Sequence, residues 1–262
     1  MPANLLTGYR VLITRPEGSS EKIAHLITAQ GGLSLEYPVL KIVLEDGHPT
    51  MQHVMANLST FDLAVFVSVH AVRSLAAGLQ RENKQLPQLL KIAAIGPTTA
   101  AELESHDYPV HYLPRGSVNS EGLIGTFGDL KLSGRKVVIF GGQSGRGILQ
   151  KYLSDVGAKV KEVESYRRMP NPDSLNQVLD QWLIDDRRLL TLTSVEVLQQ
   201  LLEKIPATQR GQVLRSDVAA LSERIAQVCV DRGFTGQVSV AESSDAQGLL
   251  DALIVCVRDD RN

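Results

Sequence analysis

Apolar residues along this chain gather into short continuous runs separated by longer amphipathic stretches. In the first half the runs are Val11–Thr14, Leu63–Ser68, Lys91–Ile95 and Val110–Tyr112. In the second half they are Lys136–Phe140, Val160–Val163, Leu189–Leu192, Val218–Leu221 and Gln237–Val240. Runs this short, with apolar residues at consecutive positions, predict strands buried on both faces. Between them, Ser20–Gln30 carries Ile23, Ala24, Leu26 and Ile27 at helical spacing, and Gly31-Gly32 stops it. The same reasoning predicts helices from about His70, at Pro97–Ser105, Ser120–Phe127, Gly147–Val156, Val195–Glu203 and Ser222–Asp231. Alternating buried strands and helices predict an α/β chain with parallel sheets covered on both faces. Such sheets take ligands at the carboxyl ends of their strands. That rule selects the loops Arg15–Ser20, Ser68–His70, Gly96–Thr99, Gly141–Gly147, Thr193–Val195 and Ser222–Arg224.

The pattern occurs twice. "YRVLITRPEGSSEKIAHLITAQGGLSLEYPV" from Tyr9 and "RKVVIFGGQSGRGILQKYLSDVGAKVKEVES" from Arg135 share one order: strand, polar loop, helix, turn, strand. The same offset of 126 positions relates Phe61 to Arg187, Lys91 to Asp217 and Asn119 to Asp245, each opening a similar segment. This is the mark of a duplicated unit. Two stretches stand outside the pattern. Tyr37–Leu44 and Val163–Met169 each extend the second strand of their copy, and Pro170–Pro172 reads as a linker.

Composition narrows the function. Hydrophobic residues make up 43% of the 262, enough for a sizeable core. Aromatics at 5% and a net charge of -2 argue against a nucleic-acid surface. Two cysteines, neither in a CxxC, exclude a disulfide framework and a thiolate zinc site and fit a reducing cytoplasm. Met1–Arg10 has no apolar core of a signal peptide, and no apolar run is long enough to span a membrane. The six histidines lack metal-ligand spacing, and nothing resembles GxSxG. "GGQSGRG" at Gly141–Gly147 lacks the ending of a P-loop and the second glycine of a dinucleotide fingerprint.

The strand-end loops do share a chemistry of small hydroxyls, glycines and arginines. They hold Thr14, Arg15, Ser19, Ser68, Thr98, Thr99, Ser144, Arg146, Thr193, Ser194, Ser222 and Arg224. Free N–H groups at helix starts suit carboxylates or phosphates. The plainer role for each Ser or Thr is capping the helix that follows it.

"VLITRP" at Val11–Pro16, "AAIGPTTAAEL" at Ala93–Leu103 and "GAKVKEVESYRR" at Gly157–Arg168 resemble uroporphyrinogen-III synthases, as do "FVS" at Phe66–Ser68 and "LTS" at Leu192–Ser194. The resemblance covers nearly the whole chain in order. It implies two doubly wound parallel-sheet lobes joined by a two-stranded β-ladder. The lobes would hold residues 1–37 with 170–262, and 38–169, with connectors at about 37–44 and 163–169. It implies a cyclising lyase of porphyrin, haem and tetrapyrrole biosynthesis: a cytoplasmic monomer without cofactor or metal. The reaction would close hydroxymethylbilane, inverting ring D, losing water and passing through a spiro intermediate. Hydroxymethylbilane synthase would be the donor of that substrate.

By the same resemblance, Tyr166 in the second connector is the candidate acid, since a phenol keeps its proton at neutral pH. Arg15, Ser68, Thr98, Thr99, Arg146, Thr193, Ser194 and Ser222 are the candidate substrate-binding residues. The second copy departs from the family's "GPTT": Ser222-Glu223-Arg224-Ile225 stands there, so Ser222 or Arg224 would replace the missing threonines. The alternatives are a cytoplasmic two-lobed small-anion-binding or sensor protein without catalysis, and a two-lobed nucleotide-sugar transferase.

Overall fold

A computed structural model describes residues 4–16, 18–142 and 147–259. In chain order its strands are β1 (Arg10–Ile13), β2 (Leu33–Glu36), β3 (Leu40–Leu44), β4 (Leu63–Phe66), β5 (Lys91–Ala94), β6 (Lys136–Gly142), β7 (Lys159–Pro170), β8 (Arg188–Leu192), β9 (Asp217–Ala220) and β10 (Val238–Val240). The helices are α1 (Glu21–Ala29), α2 (Pro49–Ala56), α3 (Val69–Arg81), α4 (Pro97–Ser105), α5 (Ser120–Phe127), α6 (Ile148–Asp155), α7 (Asn176–Trp182), α8 (Val195–Lys204), α9 (Ala207–Val213), α10 (Glu223–Asp231) and α11 (Ala246–Asp259). The duplication is visible in these bounds. α3 and α8, β5 and β9, α4 and α10, and α5 and α11 all begin 126 positions apart.

The chain divides into two compact units, 1–41 with 169–262, and 42–168. One five-stranded sheet has the order β10-β9-β8-β1-β2, the other β3-β7-β6-β4-β5. The pairings of β2, β1, β8, β9 and β10, and those of β5, β4, β6 and β7, are parallel. Each sheet takes strands from both halves of the sequence.

Both faces of each sheet are covered, which explains the unbroken apolar runs. In the first unit, Leu12, Leu190 and Leu192 face a core with Trp182 and Leu198, while Val11, Ile13 and Leu189 face one with Ile23, Leu249 and Leu253. In the second, Ala64, Phe66, Val138 and Phe140 pack under α3, and Leu63, Val65, Val137 and Ile139 pack under α5 and α6. Alternation of side chains along a strand delivers successive residues to opposite faces. Each fully buried aliphatic side chain contributes about 1.5–3 kcal/mol, so these four clusters are the main stabilising term. Trp182 closes one of them, its buried Nε1 donating to the carbonyls of Arg10 and Leu189, both at 3.1 Å.

Three sequence expectations change. Tyr37–Leu44 does not prolong β2. Pro38 has no N–H for the ladder, and the chain leaves β2 at Glu36 to re-enter as β3 in the other sheet. Val110–Tyr112 makes one bridge, Ala93 to Tyr112, rather than a strand, because Pro109 and Pro114 flank it. Pro170–Pro172 is not a loose linker. Asn171 is buried, its backbone N–H donates to Val39 O at 2.9 Å, and its Nδ2 donates to Pro38 O at 2.8 Å.

Candidate active site

In the unit 42–168, the parallel register aligns the carboxyl ends of β5, β4 and β6. Phe66 lies beside both Ala94 and Phe140. The loops that follow therefore emerge along one edge. Ser68 and Gly96 stand there, with Thr98 and Thr99 in the first turn of α4 and Gly141-Gly142 at the end of β6. Ser68 caps α3, its Oγ accepting from the Ala71 N–H at 3.2 Å. Gly96 opens α4 and offers no side-chain cap, so Thr98 stands exposed in the first turn while Thr99 is buried. A cavity of about 470 Å³ lies here, lined by Val67, Ser120, Gly142, Gly147, Glu162 and Glu164. Arg146 and Ser144, both singled out from the sequence, lie outside the described residues.

Tyr166 reaches this edge through a bulge. β7 pairs Glu164 with Gly141 but Tyr166 with Gly142, so Ser165 is an extra residue in the ladder. An extra residue shifts the strand's alternation by one. Without it Tyr166 would fall on the face of Glu162 and Glu164. With it Tyr166 shares the face of Val163, packed on the core under α3. The side chain is 7% exposed. On one side it lies against Gly142, where a β-carbon would come 2.7 Å from Tyr166 Cζ and 3.0 Å from Oη. On another side is His70, in the first turn of α3, with ring centroids 5.3 Å apart and planes tilted by 58°. Burial lowers the His70 pKa, and the nearby Arg73 and Arg168 lower it further, against a smaller opposing effect of Glu102. Arg73 and Glu102 form a bidentate pair at 2.8 and 3.0 Å, and the hydrogen bond from Arg73 holds Glu102 below the usual carboxylate range.

In the unit 1–41 with 169–262, β1, β8 and β9 end together, Ile13 beside Thr191 and Leu192 beside Ala220. Arg15, Thr193, Ser194 and Ser222 follow these ends. Ser194 caps α8 through the Val197 N–H at 3.1 Å, and Ser222 caps α10 through the Ile225 N–H at 3.4 Å. Arg15 is half-buried. Burial lowers its pKa, offset in part by Asp245. It borders a cavity of about 550 Å³ with Ser20, Glu36, Lys41, Asn171 and Asp173. Arg224 is exposed on α10.

Two hydroxyls expected in these loops belong elsewhere. Thr14 is wholly buried and donates to Thr191 O at 2.5 Å, tying β1 to β8. Ser19 turns back to donate to Pro16 O at 2.6 Å. Sequence reasoning also missed two groups. His70 carries no motif, and its place beside Tyr166 follows from the β4–β6–β7 order. Arg168 is exposed on β7 and makes no ion pair among the described residues. Among the described residues no cluster of three or more His, Cys, Asp or Glu is placed to hold a metal ion, and no helix is long and apolar enough to cross a membrane.

Comparisons with known proteins point one way. The model of the family described as uroporphyrinogen-III synthase HemD matches residues 21–251. The uroporphyrinogen-III synthase of Salmonella typhimurium is 30% identical over 245 residues, covering 93% of this chain and 99% of that protein. The Escherichia coli uroporphyrinogen-III synthase is 27% identical over the same span, with the same coverage. A crystal structure of uroporphyrinogen-III synthetase from Helicobacter pylori covers 93% of this chain and 97% of its own, with a TM-score of 0.59 at 14% identity, a likeness of fold.

Proposed function

The chain belongs to the uroporphyrinogen-III synthase family, and on that premise we propose that it cyclises hydroxymethylbilane to uroporphyrinogen III with inversion of ring D and loss of water. The observation that carries this reading is the family match across residues 21–251. The strand-end loops of both units supply a fitting chemistry. The bilane carries eight carboxylates, and helix starts with free N–H groups and arginines attract such anions.

In this reading Arg15, Thr193, Ser194 and Ser222 in one unit, and Ser68, Thr98, Thr99 and Arg146 in the other, hold the carboxylates. A capping serine keeps its own O–H free to donate while its oxygen accepts from the helix. Exposed Thr98 and half-buried Arg15 are accessible to such a partner. Tyr166 donates a proton to the terminal hydroxyl of the bilane, which leaves as water and gives an azafulvenium cation. Ring D attacks through its substituted carbon, closing a spiro intermediate. The bond from that carbon to its original neighbour then breaks, the fragment recloses inverted, and the ring carbon gives up a proton, which restores the acid. The face-switching bulge at Ser165 and the close fit to Gly142 support a specific placement of this phenol. Two lobes, 1–37 with 170–262 and 38–169, with connectors at about 37–44 and 163–169, are part of the proposal. The division of the chain near the same positions supports it. The setting it implies is a cytoplasmic monomer supplied with bilane by hydroxymethylbilane synthase. Two buried free thiols are compatible with a reducing compartment.

Formation of the III isomer from fresh hydroxymethylbilane tests the reaction. Tyr166→Phe tests the acid: the III-isomer rate is expected to fall at least about tenfold, a floor set below the usual effect of a general acid. An unchanged rate removes Tyr166 from the chemistry.

A further inference from the structure

The ring that packs against Tyr166, that of His70, is not part of the mechanism above. We propose that His70 is a positioning residue for the Tyr166 phenol, its imidazole forming the wall that keeps the hydroxyl aimed at the bilane. This inference rests on the reading of Tyr166 as the acid.

Three features carry it. First, α3 fixes where His70 stands. Ser68 caps the helix and Ala71, Val72 and Leu75 are fully buried beneath it, so a first-turn side chain at position 70 has little freedom of place. Second, the tyrosine ring is held on two sides by groups of different give. Gly142 is backbone and cannot move aside, whereas His70 meets the ring at 5.3 Å and a 58° tilt, within the range of favourable tilted aromatic contacts. Removing the imidazole would open only the His70 side. Third, Tyr166 makes no hydrogen bond to another described residue through its hydroxyl. Among the described residues, what bounds its direction is packing against Gly142 and His70. Burial and the flanking Arg73 and Arg168 favour a neutral imidazole. A neutral ring packs against a phenol without adding a cation that would compete for the substrate's carboxylates.

The test is a double-mutant cycle on the purified full chain with hydroxymethylbilane as substrate. His70→Ala is expected to lower kcat for the III isomer about tenfold, a modest share of what misplacement of a catalytic group can cost, with KM changed less than about twofold. His70→Phe, which keeps a ring, is expected to recover most of the rate. In a Tyr166→Phe background, His70→Ala is expected to add little, because the group it positions is gone. An unchanged kcat in His70→Ala overturns the proposal. So does an equal loss in both backgrounds, which would mean that His70 acts elsewhere. If His70→Ala does not fold, the result rests on His70→Phe: rates well below wild type at unchanged thermal stability overturn it. Failure of the underlying reading looks different: Tyr166→Phe itself would then be as active as the wild type.

Discussion

Asp62 shows how a single side chain holds a loop of the second unit in place. It sits just before β4, and its carboxylate accepts from the Lys136 backbone N–H at 2.8 Å and from Arg135 Nη1 at 2.7 Å. The Lys136 hydrogen bond is the larger cause that holds its pKa below the usual carboxylate value, with the Arg135 contact adding to it. A folded-state pKa below the unfolded one adds stability at every pH above the unfolded value, and that stability is lost as pH falls through the folded value. Asp62→Asn should therefore lower Tm at pH 7. The gap to wild type should narrow below about pH 4, where the unfolded carboxyl protonates. Thermal unfolding of both proteins from pH 7 to pH 3 checks this, and a gap that does not change with pH would contradict it. Asp62 was invisible to sequence reasoning because its partners are 73 and 74 positions away. The same holds for His70 beside Tyr166. Tyr166 itself was legible only through family resemblance, since nothing in "VESYRRM" announces a bulge at Ser165.

Among the elements, three of the helices that follow strand ends repeat one arrangement: a serine in extended backbone whose Oγ accepts from the N–H three residues on, in the helix's first turn. Ser68, Ser194 and Ser222 all do this, so the plainer role foreseen for them is real. Whether Ser68 also meets substrate separates under one substitution. Ser68→Asp keeps a good cap, with a charge suited to a helix start, so urea unfolding should change by less than about 0.5 kcal/mol. The same charge would repel a substrate carboxylate, so KM for hydroxymethylbilane should rise. An unchanged KM would leave Ser68 as a cap alone. The elements themselves were legible where burial was continuous, as in β1, β4, β8 and β9. They were illegible where a proline or a short polar turn decided the matter. Pro38 splits one expected strand into β2 and β3, Pro109 and Pro114 reduce another to a bridge, and the seven-residue helices α7 and α9 have too few turns to show a periodicity.

For the whole molecule, the duplication could be read from the spacing of apolar runs. The way the copies exchange strands was legible only through the family resemblance, because pairing partners are chosen by sheet edges rather than by nearness in sequence. β1 lies between β2 and β8, and β6 between β4 and β7, so each sheet unites the start of one copy with the end of the other. That arrangement sets the strand-end loops of both copies on each unit and underlies the account of function. Its central claim is that the chain directs closure of a linear tetrapyrrole that would otherwise close without inversion. The most direct measurement is to incubate the purified protein with freshly made hydroxymethylbilane, oxidise the products and separate the porphyrin isomers. The account predicts the III isomer as the main product, at a rate proportional to protein concentration. Only the I isomer, formed at the same rate with and without the protein, would contradict it.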